Sequence, residues 1–172
     1  MSKPIFSPYL HPLLRAHQYQ GNSNDCGPFS TAIVLNALLG LDLGGRELAR
    51  RMNDPHWFLF IPIIRRIPDW ATFPWGIVDM LRSFRLHAGW RLFSSPALLL
   101  TGLFEGQIVM PIFGGWNPLW AHTTILAAYH NILGWGLINP ANASGGLQWL
   151  PDDEFLPAWR SMGSIMIYAE FV

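Results

Sequence analysis

A chain of 172 residues fits a single domain spanning 1–172 and is long enough to bury a full hydrophobic core. Hydrophobic residues make up 51% and charged residues 13%, which excludes an intrinsically disordered chain. Eleven basic and eleven acidic residues cancel without any Lys/Arg run, so there is no electrostatic basis for binding nucleic acid.

Met1 to Tyr19 carries charges, three prolines and two histidines but no apolar run ahead of a small-residue cleavage site. No secretory signal is read there, and a cytoplasmic location is expected. Cys26 is the only cysteine, so an internal disulfide is impossible and one thiol stays free, as suits a reducing compartment. After this irregular start, Asp25-Cys26-Gly27-Pro28 opens a helix predicted to run to Leu39. Pro28 belongs in a first turn, where its missing N–H is no loss. Ala32, Ile33, Val34, Leu35, Ala37, Leu38 and Leu39 leave almost no polar face, which makes this helix central and buried.

Gly40 ends it, and a short helix is predicted over Arg46–Met52, with Glu47 and Arg51 at a supportive i,i+4 spacing. Residues 54–74 hold four prolines and many aromatics, the composition of an irregular excursion packed on the body. Within it, Trp57-Phe58-Leu59-Phe60-Ile61-Pro62-Ile63-Ile64 has two readings. One is an exposed surface for a protein partner or a homo-dimer. The other, favoured from composition, is a satellite core under a long loop. Helices follow at Trp75–Phe84 and Pro96–Phe104.

The chain then turns to strands, predicted at Ile108–Phe113, Thr123–Tyr129, Leu133–Ile138 and Ser164–Phe171, with a short helix disturbed by Pro157 at Asp152–Trp159. Gly106 to Ala143 contains no Asp, Glu, Lys or Arg, yet Pro111, Pro118, Pro140 and several glycines interrupt it. A spanning helix needs about 20 continuous apolar residues, so buried strands are expected here and no transmembrane segment. Helices first and an antiparallel sheet afterwards make an α+β fold.

Chemistry concentrates around Cys26. A thiolate is the nucleophilic form, and the start of a helix lowers a thiol pKa through its partial positive charge. The competing reading is a buried core cysteine. A base must come from elsewhere, and the histidines are His11, His17, His56, His87, His122 and His130. His122 stands out because it begins a predicted strand directly after the loop Gly114-Gly115-Trp116-Asn117-Pro118-Leu119-Trp120, where a side chain is both rigid and exposed. A hairpin turn centred between His130 and Asn131 would place His122 opposite Asn139, whose amide could orient the imidazole. A bulge at Gly134 or Gly136 would slip that register by one. Asn142 and Asp152 are then the substitutes. Gln20, six residues before Cys26, could donate a hydrogen bond to an oxyanion, or could be a solvated loop residue. No His-Glu-x-x-His and no paired Cys-x-x-Cys occurs, so neither metal nor cofactor is expected.

Tyr19-Gln20-Gly21-Asn22-Ser23-Asn24-Asp25-Cys26-Gly27-Pro28 resembles the nucleophile motif of the bacteriocin-processing, double-glycine peptidases and their stand-alone relatives. Ala121-His122-Thr123-Thr124-Ile125 is similar to the base-bearing strand of that family, and Ile138-Asn139-Pro140-Ala141 to its third motif, where Asp-Pro is usual. Phe155-Leu156-Pro157-Ala158-Trp159 resembles the aromatic helix that follows. The resemblance implies a papain-like fold, with Cys26 as nucleophile, His122 as general base, Asn139 as orienter and Gln20 as oxyanion donor. It implies a thiol hydrolase cleaving a peptide or related amide bond through a thioester, with a peptide or protein as substrate. An amidase or acyltransferase with the same triad, and a catalytically silent peptide-binding module, are the alternatives. Transporter-linked members carry membrane and nucleotide-binding domains that this chain lacks, so double-glycine specificity does not transfer with the motif.

Overall fold

Prolines and glycines cut the chain into short elements, and hydrophobic periodicity decides which of them are buried. The computed structural model describes residues 3–171, apart from the side chain of Phe58; Met1, Ser2 and Val172 lie outside the described residues, as does that part of the N-terminal stretch read as carrying no signal. The first half comprises β1 (Ile5–Phe6), α1 (Leu10–Arg15), α2 (Cys26–Leu39), α3 (Gly45–Asn53), β2 (His56–Phe58), β3 (Ile61–Ile63), β4 (Arg66–Ile67), β5 (Ala71–Thr72) and α4 (Pro74–Ser83). The second half runs β6 (His87–Arg91), α5 (Pro96–Phe104), β7 (Ile108–Trp116), β8 (Leu119–Thr123), β9 (Ile125–His130), β10 (Gly134–Ile138), β11 (Leu147–Leu150), α6 (Asp152–Ser161) and β12 (Ile165–Glu170).

The expected α+β order is observed. Among the described residues, eight strands join one antiparallel sheet in the order β11-β10-β9-β7-β12-β6, with β1 added on β9 and β8 on β7. Alternation along the central strands feeds two cores. Ile108, Met110 and Ile112 of β7 and Ile167 and Ala169 of β12 pack toward α1–α4, whereas Val109, Phe113 and Met166 pack toward α5 and α6. α2 is apolar all round and buried from Gly27 to Leu35, as its composition requires, and Gly40 closes it in the left-handed region at φ 64°. Pro157 lies inside α6 without ending it. Among the described residues, no helix is long and apolar enough to cross a membrane.

Pro111 occupies a central strand, a position proline seldom tolerates because it donates no ladder bond. Here β7 is already changing partners. On one edge it pairs with β9 at Val109–Leu126 and with β8 from Ile112–Thr123 onward, and Pro111 falls in the gap between them. That gap separates β8 from β9 and lets β8 diverge toward the start of α2.

The segment Trp57–Ile64 differs from the favoured expectation. It is not core but a protruding hairpin of two three-residue strands, with Trp57 64% and Phe60 94% exposed. Strands this short reach no other sheet. The hairpin is tied at its base, where Arg65 donates to the Asp54 carbonyl and to Asp79, and Trp75 Nε1 donates to the Ile64 carbonyl at 2.8 Å.

Arg66, in the next hairpin, is almost wholly buried; it forms an ion pair with Asp25 and donates to Asn53 Oδ1 at 2.6 Å. A buried charge stripped of its partner is strongly destabilising. Arg66→Met should lower unfolding stability by about 3–5 kcal/mol in a urea titration, and adding Asp25→Asn should recover part of that loss.

Candidate active site

The first turn of α2 carries Cys26, and three features hold that turn in place. Asp25 stands at the N-cap, but its carboxylate is engaged by Arg66 and makes no capping bond, so the leading N–H groups of the helix stay uncapped. Gly27 lies against β5, where an added Cβ would come within 2.7 Å of the Thr72 side chain. Ser30 Oγ donates to the Thr123 carbonyl at 3.0 Å and Thr123 N–H donates to Cys26 Sγ at 3.4 Å, joining α2 to the end of β8.

His122 precedes Thr123 on β8, so the same strand end that reaches Sγ carries its ring, close enough for thiol and imidazole to shift each other's pKa. The Nε2 of His122 bonds Asn139 Oδ1 at 2.6 Å, which leaves Nδ1 as the nitrogen facing Cys26. Burial alone would raise the Cys26 thiol, but the hydrogen bond and charge of His122, with Thr123 N–H, bring it below its ordinary value. Burial would likewise lower His122, yet the contact with Cys26 and then the Asn139 bond lift it above the usual imidazole value. The two shifts run in the direction that favours a thiolate beside an imidazolium.

His122 and Asn139 meet, but not by the register expected. The turn occupies residues 131–133, Gly134 pairs with His130, and the ladder shifts between Gly136 and Leu137. His122 is opposite Phe113 on β7 instead. Asn139 lies just beyond the end of β10, and its side chain reaches across to His122. Neither substitute's side chain bonds His122 among the described residues. Asn142 closes its own turn onto Ser144 and Gly146, and Asp152 stands against Tyr129, whose phenol is pushed up by burial and then by that carboxylate.

Gln20 is buried, and its amide is oriented by donating from Nε2 to the Ser23 carbonyl at 2.7 Å, which leaves Oε1 without a partner. Its backbone N–H donates to the Pro140 carbonyl at 2.8 Å, so the loop before the nucleophile is tied to the residue after Asn139. His17 also reaches the site, bonding the Asn139 carbonyl through Nε2 at 3.0 Å. Of the other histidines, His56 and His87 pair with Asp79 and Glu170, and His130 accepts from its own turn. Among the described residues, no group of three His, Cys, Asp or Glu side chains converges as a metal site.

Sequence reasoning missed Gln148. The Asn139 amide Nδ2 donates to Gln148 Oε1 at 2.7 Å, and Oδ1 also accepts from Ala141 N–H at 2.8 Å. A flipped Asn139 would set its NH2 against the His122 Nε2–H and its oxygen against Gln148 Oε1, two clashes of like polarity. Arg66 was missed too; the signal for it was a pair of arginines inside an apolar run, since a buried guanidinium requires a carboxylate partner.

No protein-family model and no curated protein sequence matches this chain. Solved structures do. A protein described as a C39-like peptidase from Bacillus anthracis superposes with a TM-score of 0.72 at 14% identity over 99% of both chains. The peptidase domain of Streptococcus ComA, a bifunctional ABC transporter of a quorum-sensing pathway, gives 0.66 at 15% identity, covering 90% of this chain and 97% of that one. The Streptococcus mutans ComA peptidase domain gives 0.55 at 15%, over 90% and 98%. The chain therefore has the papain-like fold of C39 peptidases.

Because Asn139 carries no charge, its orientation rests on Gln148. Gln148→Leu should weaken the Asn139–His122 bond and so lower the His122 pKa. In an iodoacetamide pH profile read by intact mass, the imidazolium-assisted plateau would then end at a lower pH. Asn139→Asp has no wrong flip, so the same Gln148→Leu change should move the plateau much less in that background.

Proposed function

We propose that this chain is a cysteine peptidase-type hydrolase that cleaves a peptide or related amide bond through Cys26, His122 and Asn139. The observation that carries this reading is the convergence of three groups: Asn139 Oδ1 holds the His122 ring at 2.6 Å, and Thr123, next to His122 on β8, bonds Cys26 Sγ, with the thiol pKa lowered and the imidazole pKa raised. The fold shared with C39-like peptidases supports it.

The proposed steps use these groups in turn. The Cys26 thiolate attacks the carbonyl carbon, and the carbonyl π electrons move to oxygen. That oxyanion lies beside the uncapped start of α2, where the Cys26 N–H and the second hydrogen of the Gln20 amide can donate to it; one such donor is typically worth about 3 kcal/mol in the transition state. His122 Nδ1–H passes its proton to the leaving nitrogen as the C–N bond breaks, and the acyl group remains as a thioester on Sγ. Water then enters, loses a proton to Nδ1 and displaces the thiolate, releasing the acid. An amine in place of water would make the same enzyme an acyltransferase. A silent peptide-binding module would have no need of a lowered thiol pKa.

Cleavage of a quenched-fluorescent peptide library should fall at least about a thousandfold in Cys26→Ser and in His122→Ala. The pH profile of kcat/KM should be bell-shaped. Its acid limb reports loss of the Cys26 thiolate below a lowered pKa, and its alkaline limb loss of the His122 proton above a raised one. The Asn139 bond raises His122, so Asn139→Ala should move the alkaline limb to lower pH. A library untouched by the native protein, with ordinary thiol alkylation, would refute the reading.

A further inference from the structure

A cavity of about 390 Å³ opens beside the site, floored by Phe113, walled by Trp120, Leu150 and Ala158, and bounded on one side by His122 and Asn139. No α2 residue and neither Cys26 nor Gln20 lines it. It is therefore reached past the imidazole and not past the thiol. The His122 side of the bond is where the leaving nitrogen is protonated, because the acyl half stays on Sγ and its oxyanion faces the α2 start. The geometry points to this cavity as the pocket for the first side chain on the leaving-amine side of the scissile bond, selecting a large apolar residue such as Leu, Met or Phe. The inference rests on the acyl-transfer reading above.

The walls support that choice. Phe113 is buried and meets Trp120, His122 and Phe155 edge-on, with ring centroids 6.0, 5.8 and 5.7 Å apart, which makes a stiff aromatic floor. Trp120 is 46% exposed, so it offers apolar area for an incoming side chain to cover. Trp116 Nε1 donates to the Ser161 carbonyl at 2.8 Å, fixing the β7–β8 hairpin against α6, so the pocket is pre-formed. Glu154 stands exposed at the rim and disfavours an acidic residue. The His122–Asn139 bond forms part of the wall, so an apolar occupant also excludes water from it and strengthens it. Occupancy should therefore raise kcat as well as lower KM.

The test is a set of quenched peptides identical except for Gly, Ala, Leu, Phe or Glu directly after the cleaved bond. Native protein should prefer Leu or Phe over Gly by about 10–200-fold in kcat/KM, with Glu the poorest. Ala158→Trp, which fills the cavity, should bring the Leu-to-Gly ratio near unity; a ratio within one protein is insensitive to the fraction folded. A binding arm needs no turnover: Cys26→Ala protein is titrated with Leu-Ala-amide and Gly-Ala-amide while the Trp120 indole and His122 ring resonances are followed. Leu-specific shifts, lost on adding Ala158→Trp, support the pocket. Turnover with a flat ratio overturns the pocket and leaves the hydrolase standing. Leu-specific shifts without turnover of any peptide overturn the hydrolase and, with it, the leaving-side assignment, and leave only an apolar binding pocket. Absence of both overturns both.

Discussion

The cleft depends on how the start of α2 meets the end of β8, two pieces of chain separated by 97 positions. Thr123 does the joining, accepting from Ser30 through its carbonyl and donating to Sγ through its N–H. A buried helix start normally requires a side-chain cap for its free N–H groups. Here the residue positioned to cap, Asp25, is held by the buried Arg66, and the helix start is left able to receive negative charge. Stability and reactivity are thus separated. The ion pair anchors the turn, and the N–H groups left without a side-chain cap are the ones the proposed mechanism assigns to the oxyanion.

The second constraint concerns a neutral orienter. A carboxylate beside imidazole needs no fixed orientation, because either oxygen accepts and the charge acts at a distance. An amide supplies only a dipole, and only in one of two orientations. Asn139 is therefore bound on both side-chain polar atoms and on its carbonyl: Oδ1 by His122 and Ala141, Nδ2 by Gln148, and the carbonyl by His17. With no charge at residue 139, stabilisation of the imidazolium falls mainly to the Cys26 thiolate. That agrees with the Cys26 contacts outweighing the Asn139 bond in raising His122.

Long elements with one dominant pattern were legible in the sequence. The all-round apolar α2 and the alternating β12 are where expected, because burial on two sides leaves little freedom of assignment. The hairpin register was not legible. A three-residue turn at 131–133 and a shift at Gly136 move the ladder; the glycine marked the place of a bulge, but no local residue pair fixed the turn. Asn139 still reaches His122 because it lies past the last ladder pair, where the side chain and not the register decides the contact. The small hairpins of 56–72 escaped because strands of two or three residues show no period, and the prolines there read as irregular chain. His17, Arg66 and Gln148 escaped for a different reason. Each is defined by a partner far along the chain; only Arg66 has a local mark, as one of two arginines in an apolar run, and that mark does not name its partner.

Cys26 and His122 titrate as one unit, since each is the principal favourable influence on the other. The charged pair that the proposed mechanism requires would be bounded below by the thiol and above by the imidazole, and the fold supports the two bounds from different walls. Thr123 N–H and the α2 start act on the thiolate and so on the lower bound. Asn139, oriented by Gln148, acts on the imidazolium and so on the upper bound. Gln20 N–H, bonded to the Pro140 carbonyl, ties the two walls together at the backbone. A substitution on either wall should therefore shift one bound mainly, whereas loosening the Gln20–Pro140 link would change the spacing of the pair and narrow the range from both ends.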